Sequence, residues 1–228
     1  MNLARGTLLS LITLSMLIVG CSSTKTVRVA VPPRVDLAPY PVIGIVTFAS
    51  NRSDDGELDR LATQKFLESV QAAQPGTRVV ELGSQQEVLA SVGRSNWDAS
   101  ALRAVKSKHE VDALIVGRID VDRVKPKVQI QSLLKAVSAQ ADVNVALSAR
   151  LFETQSGATM WTDSAKLTTT IAHGDFSKTS SSVGVRDAEA AYGNMIEQMA
   201  HDVTDAFREH YVVKRVPKNQ PEYADVRE

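Results

Sequence analysis

From residue 42 onward, apolar positions recur at a spacing of two and then at helical spacing, the pattern of strands alternating with helices. Val42 to Ala49 is a short apolar run, as expected for a strand buried on both faces. A turn-rich stretch, Asn51 to Gly56, follows. Leu58, Leu61, Ala62, Phe66 and Val70 then fall on one helical face that ends at Pro75-Gly76. Thr77 to Leu82 reads as a second strand. Ser84 and Glu87 have the spacing of a capping box, opening a short helix with Val88, Leu89 and Val92 inward and Gly93 at its end. A further helix is expected over Ala99 to Lys108, with Leu102 and Val105 inward, and then a strand over Val111 to Val121.

The longest period-two run follows. Val137, Ala139, Ala141, Val143, Val145, Leu147, Ala149 and Leu151 alternate with mainly polar residues, and before them Val124, Val128, Ile130 and Leu134 alternate with Lys125, Lys127, Gln129 and Gln131. The pattern predicts a hairpin, with Leu133 to Val137 either its turn or a short helix. Glu153 to Ala158 is a turn, and Thr159 to Ile171 returns as a strand. Residues 172–184, rich in Ser, Gly and His, read as a flexible loop. A long amphipathic helix is expected over Arg186 to Tyr211, with Ala188, Tyr192, Met195, Ile196, Met199, Val203, Ala206 and Phe207 as its apolar stripe. The fold class implied is α/β: a mixed β-sheet flanked by helices, with a parallel βαβ start, an antiparallel finish and a long C-terminal amphipathic helix.

The first forty residues differ in kind. Arg5 precedes an apolar stretch, Thr7 to Gly20, that is too short and too diluted by Ser10, Thr13 and Ser15 for the ~20 residues of a spanning helix. It ends in Ile18-Val19-Gly20-Cys21, the pattern of a lipobox. Gly20 admits a signal peptidase, and the thiol of Cys21, the one cysteine of the chain, accepts the lipid. The expected organisation is a lipoprotein signal peptide over 1–20, cleaved between Gly20 and Cys21, and a linker over 21–41. An α/β domain over 42–212 and a charged, disordered tail over 213–228 complete it. The linker carries Pro32, Pro33, Pro39 and Pro41, while Val27, Val29 and Val31 alternate in a way that hints at an edge strand. Fully extended, it reaches about 70 Å at most. Ser22 after the cysteine implies sorting to the outer membrane, by similarity to Gram-negative lipoproteins.

Composition then narrows the function. Hydrophobic residues are 43% of the 228 and charged residues 23%, enough to bury a core. Loss of residues 1–20 removes one cation, Arg5, and leaves 25 basic against 26 acidic groups. That balance argues against nucleic acid as a partner. Motifs of hydrolases, nucleotide-binding loops, zinc proteases and dinucleotide folds are absent. Neither catalytic nor metal-binding residues are expected, and no cofactor beyond the covalent lipid on Cys21. His201 and Asp205 read as a solvated pair one helical turn apart. Asp54, Asp55, Glu57 and Asp59 read as dipole complementation at a helix start. Trp161, Met195 and Met199 read as packing residues.

Three segments carry a resemblance. Pro41 to Phe48 with Asn51-Arg52-Ser53, Asp112 to Ile119, and Val145 to Trp161 together resemble the CsgG-like outer-membrane lipoprotein family, a fold group that includes the curli-secretion, LpoB and PelC lipoproteins. The resemblance spans residues 40–211. It implies a three-layer α/β domain lipid-anchored at the outer membrane, lying in the periplasm and often assembled in homo-oligomeric rings. It also implies unidentified envelope proteins as partners. Two functional expectations follow. One is a non-catalytic assembly or accessory module in envelope biogenesis or export, acting by protein contacts. The other is a subunit of an oligomeric secretion channel. Val128, Ile130, Val143, Val145 and Leu147 mark the candidate pore or partner hairpin, which is long enough at ~9–11 residues per strand but has no aromatic over residues 119–150.

Overall fold

Short apolar runs and amphipathic stripes bury themselves by stacking in layers, and this chain does so around one mixed sheet. The computed structural model describes residues 24–51, 56–122, 125–130, 136–177, 181–185 and 188–217. The larger of two compact units is Pro33–Arg208. Its strands are β2 (Ile43–Thr47), β3 (Ala49–Ser50), β4 (Val79–Ser84), β5 (Ala113–Val121), β6 (Lys125–Ile130), β7 (Ala136–Glu153), β8 (Thr159–Ser177) and β9 (Ser181–Val185). Its helices are α1 (Gly56–Ala73), α2 (Gln85–Ser91), α3 (Ala99–His109) and α4 (Ala188–Val203), the last continued by a 3-10 turn over Thr204–Phe207. The sheet order is β4-β2-β5-β7-β8-β9, with β3 on β5 and β6 on β7. Pairing is parallel among β4, β2 and β5 and antiparallel from β5 to β9, as the order of elements in the sequence requires.

Two apolar layers sandwich the sheet. On one face Leu58, Ala62, Phe66 and Val70 of α1 and Met195, Ile196, Met199 and Val203 of α4 meet Ile43, Ile45, Ile115, Ile119, Val143, Val145 and Leu147. On the other, Val88 of α2 and Leu102 and Val105 of α3 meet Val46, Leu114 and Phe152. Both short helices on this second face are capped as their sequences demand. Ser84 Oγ accepts from the Glu87 N–H at 3.2 Å while Glu87 Oε2 accepts from the Ser84 N–H at 3.0 Å. Asp98 Oδ1 accepts from the N–H groups of Ser100 and Ala101 at 2.8 and 2.7 Å.

These bonds hold the carboxyls below their ordinary values. For Glu87 the backbone and then the hydroxyl of Ser84 are responsible; for Asp98, the Ser100 hydroxyl and then the Ala101 N–H. A carboxyl whose folded value is depressed stabilises the fold above its ordinary value, and that contribution is lost as pH falls through the folded value. The unfolding midpoint should therefore drop as the pH falls below about 4. In Glu87→Gln/Asp98→Asn the drop should be shallower. Equal acid slopes for the two proteins would show that the caps are not responsible.

Four differences from the sequence expectations have physical causes. Residues 33–40 are docked, not a free spacer. The Gln74 amide donates to the carbonyls of Val35 and Phe207 at 2.6 and 3.0 Å and its oxygen accepts from the Leu37 N–H at 2.8 Å, while Leu37 itself is buried in the core. The expected terminal helix gives way to the 3-10 turn at Thr204, whose hydroxyl bonds back to the Ala200 carbonyl at 2.7 Å. His201 and Asp205 consequently do not pair: His201 approaches Asp202 at 3.7 Å, and Asp205 approaches Arg34 at 3.8 Å. Residues 172–177 and 181–185 are strand, where a loop was expected. The alternation there is hidden by a bulge, since Ala141 pairs with Ala172 but Asp142 pairs with Thr170. The extra residue, Ile171, reverses the parity of β8, so a fixed period of two loses phase at that point.

The fourth difference is the smaller unit, whose described elements are β1 (Thr24–Val31) and β10 (His210–Pro217), paired antiparallel from Thr24 opposite Pro217 to Val31 opposite His210. The valines of the expected linker thus form a strand, and so do the first residues of the expected tail. Cys21, the signal peptide, Asp54 and Asp55, and residues 131–135 and 218–228 lie outside the described residues. Among the described residues no helix is long and apolar enough to cross a membrane.

Candidate functional site

The second face of the sheet is only half covered. The α2 and α3 layer packs on Val46, Leu114 and Phe152. Further along β5 the same parity carries Arg118 and Asp120, and across the register it continues onto Ser148 and Ala146 of β7 and Ser164 and Lys166 of β8. Arg118, Arg150, Thr162, Ser164, Lys166 and Thr168 are exposed on this face. An antiparallel sheet tolerates one solvated face, and the alternation in β7 and β8 supplies it.

This surface is held in place by side chains bonding along and across strands. Arg118 Nε donates to both oxygens of Asp120 at 2.7 and 2.9 Å. Thr168 Oγ1 donates to Asn144 Oδ1 at 2.6 Å, and Asn144 Nδ2 donates to Asp122 Oδ2 at 3.4 Å. Asn51 completes the edge. Its Nδ2 donates to the Val121 carbonyl at 3.2 Å and its Oδ1 accepts from the Val121 N–H at 3.0 Å, so the side-chain amide continues the ladder where β3 ends. Together these groups border an open recess of about 570 Å³ between Arg118, Asp120, Asn144 and Lys166. Its wall is charged and amide-rich, unlike the mostly apolar lining of a small-molecule pocket. Among the described residues no group of three or more His, Cys, Asp or Glu side chains converges.

The hairpin residues separate into two sets. Val143, Val145 and Leu147 are 0%, 1% and 0% exposed and belong to the core beneath α1 and α4, so this part of the hairpin has its apolar side covered from within the chain. Val128 and Ile130 lie in β6, opposite Ala139 and Val137 of β7. Register continues across β8 and β9, aligning Val128, Ala139, Gly174 and Val183 in one row and Gln129, Ser138, Asp175 and Ser182 in the next. Apolar and polar rows thus alternate over four strands. Trp161 packs between Phe66 and Phe207, with centroids at 6.5 and 4.7 Å, and Met195 and Met199 are buried, as the sequence predicted for all three. The polar face of β5, β7 and β8 was missed by sequence reasoning. Its signal is present in the polar half of the alternation, Asn144, Ser148 and Arg150.

No family model matches the chain, and no curated protein sequence matches it either. Among solved structures, the PelC dodecamer from Paraburkholderia phytofirmans is similar with a TM-score of 0.40 and 10% identity, over 81% of this chain and 98% of that one. Lipoprotein GNA1162 from Neisseria meningitidis is similar with a TM-score of 0.34 and 17% identity, over 69% and 93%. The LpoB C-terminal domain from Escherichia coli gives a TM-score of 0.33 and 13% identity, over 58% and 87%. All three are distant likenesses.

Proposed function

We propose that this chain is a lipoprotein of the CsgG-like kind, acylated on Cys21 and held at the outer membrane with its α/β domain in the periplasm. There it acts without catalysis, as an assembly or accessory module in envelope biogenesis or export, by binding other envelope proteins. The lipobox supports the location. The uncovered polar face of β5, β7 and β8 is the observation that carries the role. It presents both charge signs and hydroxyls in fixed register on rigid strands, which suits electrostatic complementarity with a protein surface.

Charge reversal at two exposed positions tests this. Arg150→Glu/Lys166→Glu in the membrane-tethered protein should abolish co-purification of the envelope partner recovered with wild type. Stability should change by no more than about 0.5 kcal/mol, the usual range for surface positions. Unchanged recovery from the doubly reversed protein would remove this face from the interaction.

The alternating rows of β6 to β9 favour a second reading, a subunit of an oligomeric secretion channel. Against it, residues 119–150 contain no aromatic that could form a membrane-interface girdle. Single-channel conductance from purified protein in planar bilayers would establish the channel; a silent bilayer favours the accessory role.

A further inference from the structure

A two-stranded antiparallel ribbon is marginal on its own in water, so the β1–β10 pair needs a surface to lie against. Its register puts Thr26, Arg28, Ala30, Tyr211, Val213 and Arg215 on one face, where every residue is exposed; on the other, Val212 and Lys214 are exposed as well. Tyr211 and Val213 are each 64% exposed. Ala30 stands opposite Tyr211, Arg28 opposite Val213, and Thr26 opposite Arg215, so arginines flank the apolar pair within one small patch. Neither strand contains an acidic residue, although the whole chain is balanced at 26 cations and 26 anions; Glu209 immediately precedes β10.

The position of this patch in the sequence is informative. Thr24, the first residue of β1, follows Cys21 by three residues, so its Cα lies no more than about 11 Å from that of Cys21, with Arg28 four residues further along the strand.

We propose that the exposed face of the β1–β10 ribbon is a membrane-docking surface. Arg28 and Arg215 engage anionic phospholipid headgroups, and Tyr211 and Val213 enter the interfacial layer. The proposal rests on acylation of Cys21, and it changes what that anchor does. A strand starting three residues after the lipid lays the ribbon on the bilayer instead of suspending the chain on a long tether. Tyrosine suits the headgroup level because its ring is apolar and its hydroxyl polar, and arginine extends its stem along apolar surface while its head stays hydrated. An acyl anchor combined with a basic patch is the usual two-signal arrangement for stable attachment. A second copy of the ribbon is a poorer occupant, because a two-fold contact of this face would set like charges against one another.

The test uses the mature chain carrying Cys21→Ser, which removes the acyl anchor and isolates the protein surface. Flotation with vesicles of phosphatidylethanolamine and phosphatidylglycerol should recover the protein, with binding that weakens as salt rises. Vesicles of phosphatidylcholine alone should not recover it. Arg28→Gln/Arg215→Gln should bind the anionic vesicles about thirtyfold more weakly, at about fivefold per cation, with an unchanged unfolding midpoint. Tyr211→Ser should weaken binding as well. Equal recovery by both vesicle types, no recovery by either, or an affinity unchanged in the arginine variant would overturn the proposal. So would a wild-type dimer that this variant dissociates, which would assign the face to a second copy. Labelled palmitate reports the anchor separately. Incorporation by wild type, absent in Cys21→Ser, without vesicle binding sinks the ribbon surface alone. Vesicle binding without incorporation supports the surface and removes its link to Cys21.

Discussion

Phe66→Ala is expected to cost the fold about 4 kcal/mol, the usual loss for a fully buried phenylalanine cut back to its Cβ. Phe66 is 0% exposed on the inner face of α1 and stands in the middle of a column of rings. Its centroid is 5.1 Å from that of Phe48 and 6.5 Å from that of Trp161, and Trp161 in turn lies 4.7 Å from Phe207. Removing it takes away the transfer free energy of one ring and leaves a cavity walled by two others. The column joins the β2–β3 junction, α1, β8 and the 3-10 turn, so neither neighbouring ring can collapse into the space without pulling its own segment away. Native domains are stable by about 5–15 kcal/mol in total, so the variant should retain the fold with a much smaller margin. Urea unfolding followed by tryptophan fluorescence checks this. A midpoint within error of wild type would show that the column is not the mechanical centre of the core.

Gly117→Val should be comparably damaging for the opposite reason. A Cβ built on Gly117 would overlap the ring of Phe48, which is 1% exposed and already wedged against Phe66. The far end of a flexible side chain could swing aside; this ring cannot. The backbone is committed as well. The Phe48 N–H leaves the sheet ladder to donate to Thr63 Oγ1 at 2.8 Å, and Thr63 Oγ1 donates to the Asp59 carbonyl at 2.7 Å. Overpacking of a tight core costs about 1–3 kcal/mol and sometimes more, and with ring and backbone both pinned the upper end, about 3 kcal/mol, is expected. Shrinking the obstacle should recover part of it. Phe48→Leu in the Gly117→Val background should be less destabilising than the sum of the two single changes, by roughly 1–2 kcal/mol of coupling. Strict additivity would mean that the contact between these positions is not the source of the cost.

These two residues also show where sequence reasoning stopped. Phe66 was legible, because its place in the α1 stripe required only local spacing. Gly117 stands in the apolar run that predicted β5, but nothing within a few residues of it announces the ring it must admit. Asn51 reads as a loop residue, and only the strand Val121 opposite it turns its amide into a ladder partner. Val143, Val145 and Leu147 have the same alternation whether their apolar side faces lipid or a helix. The decision belongs to α1 and α4, which approach from remote parts of the sequence and cover them.

By itself the sequence determined most of the element types between residues 42 and 171, the α/β class with its mixed pairing, the Ser84–Glu87 capping box, the inward faces of the helices, and the lipobox pattern at Cys21. Each of these depends on spacing over one or two turns or on side chains that bond to their own neighbours. The tertiary structure alone decided which sheet face stays open, how the Ile171 bulge carries β8 onward to β9, and that the strand beginning three residues after Cys21 finds its partner near the far end of the chain. Those outcomes depend on closing long loops. Their entropic cost is recovered only by the packing of the whole fold, and no local pattern records it.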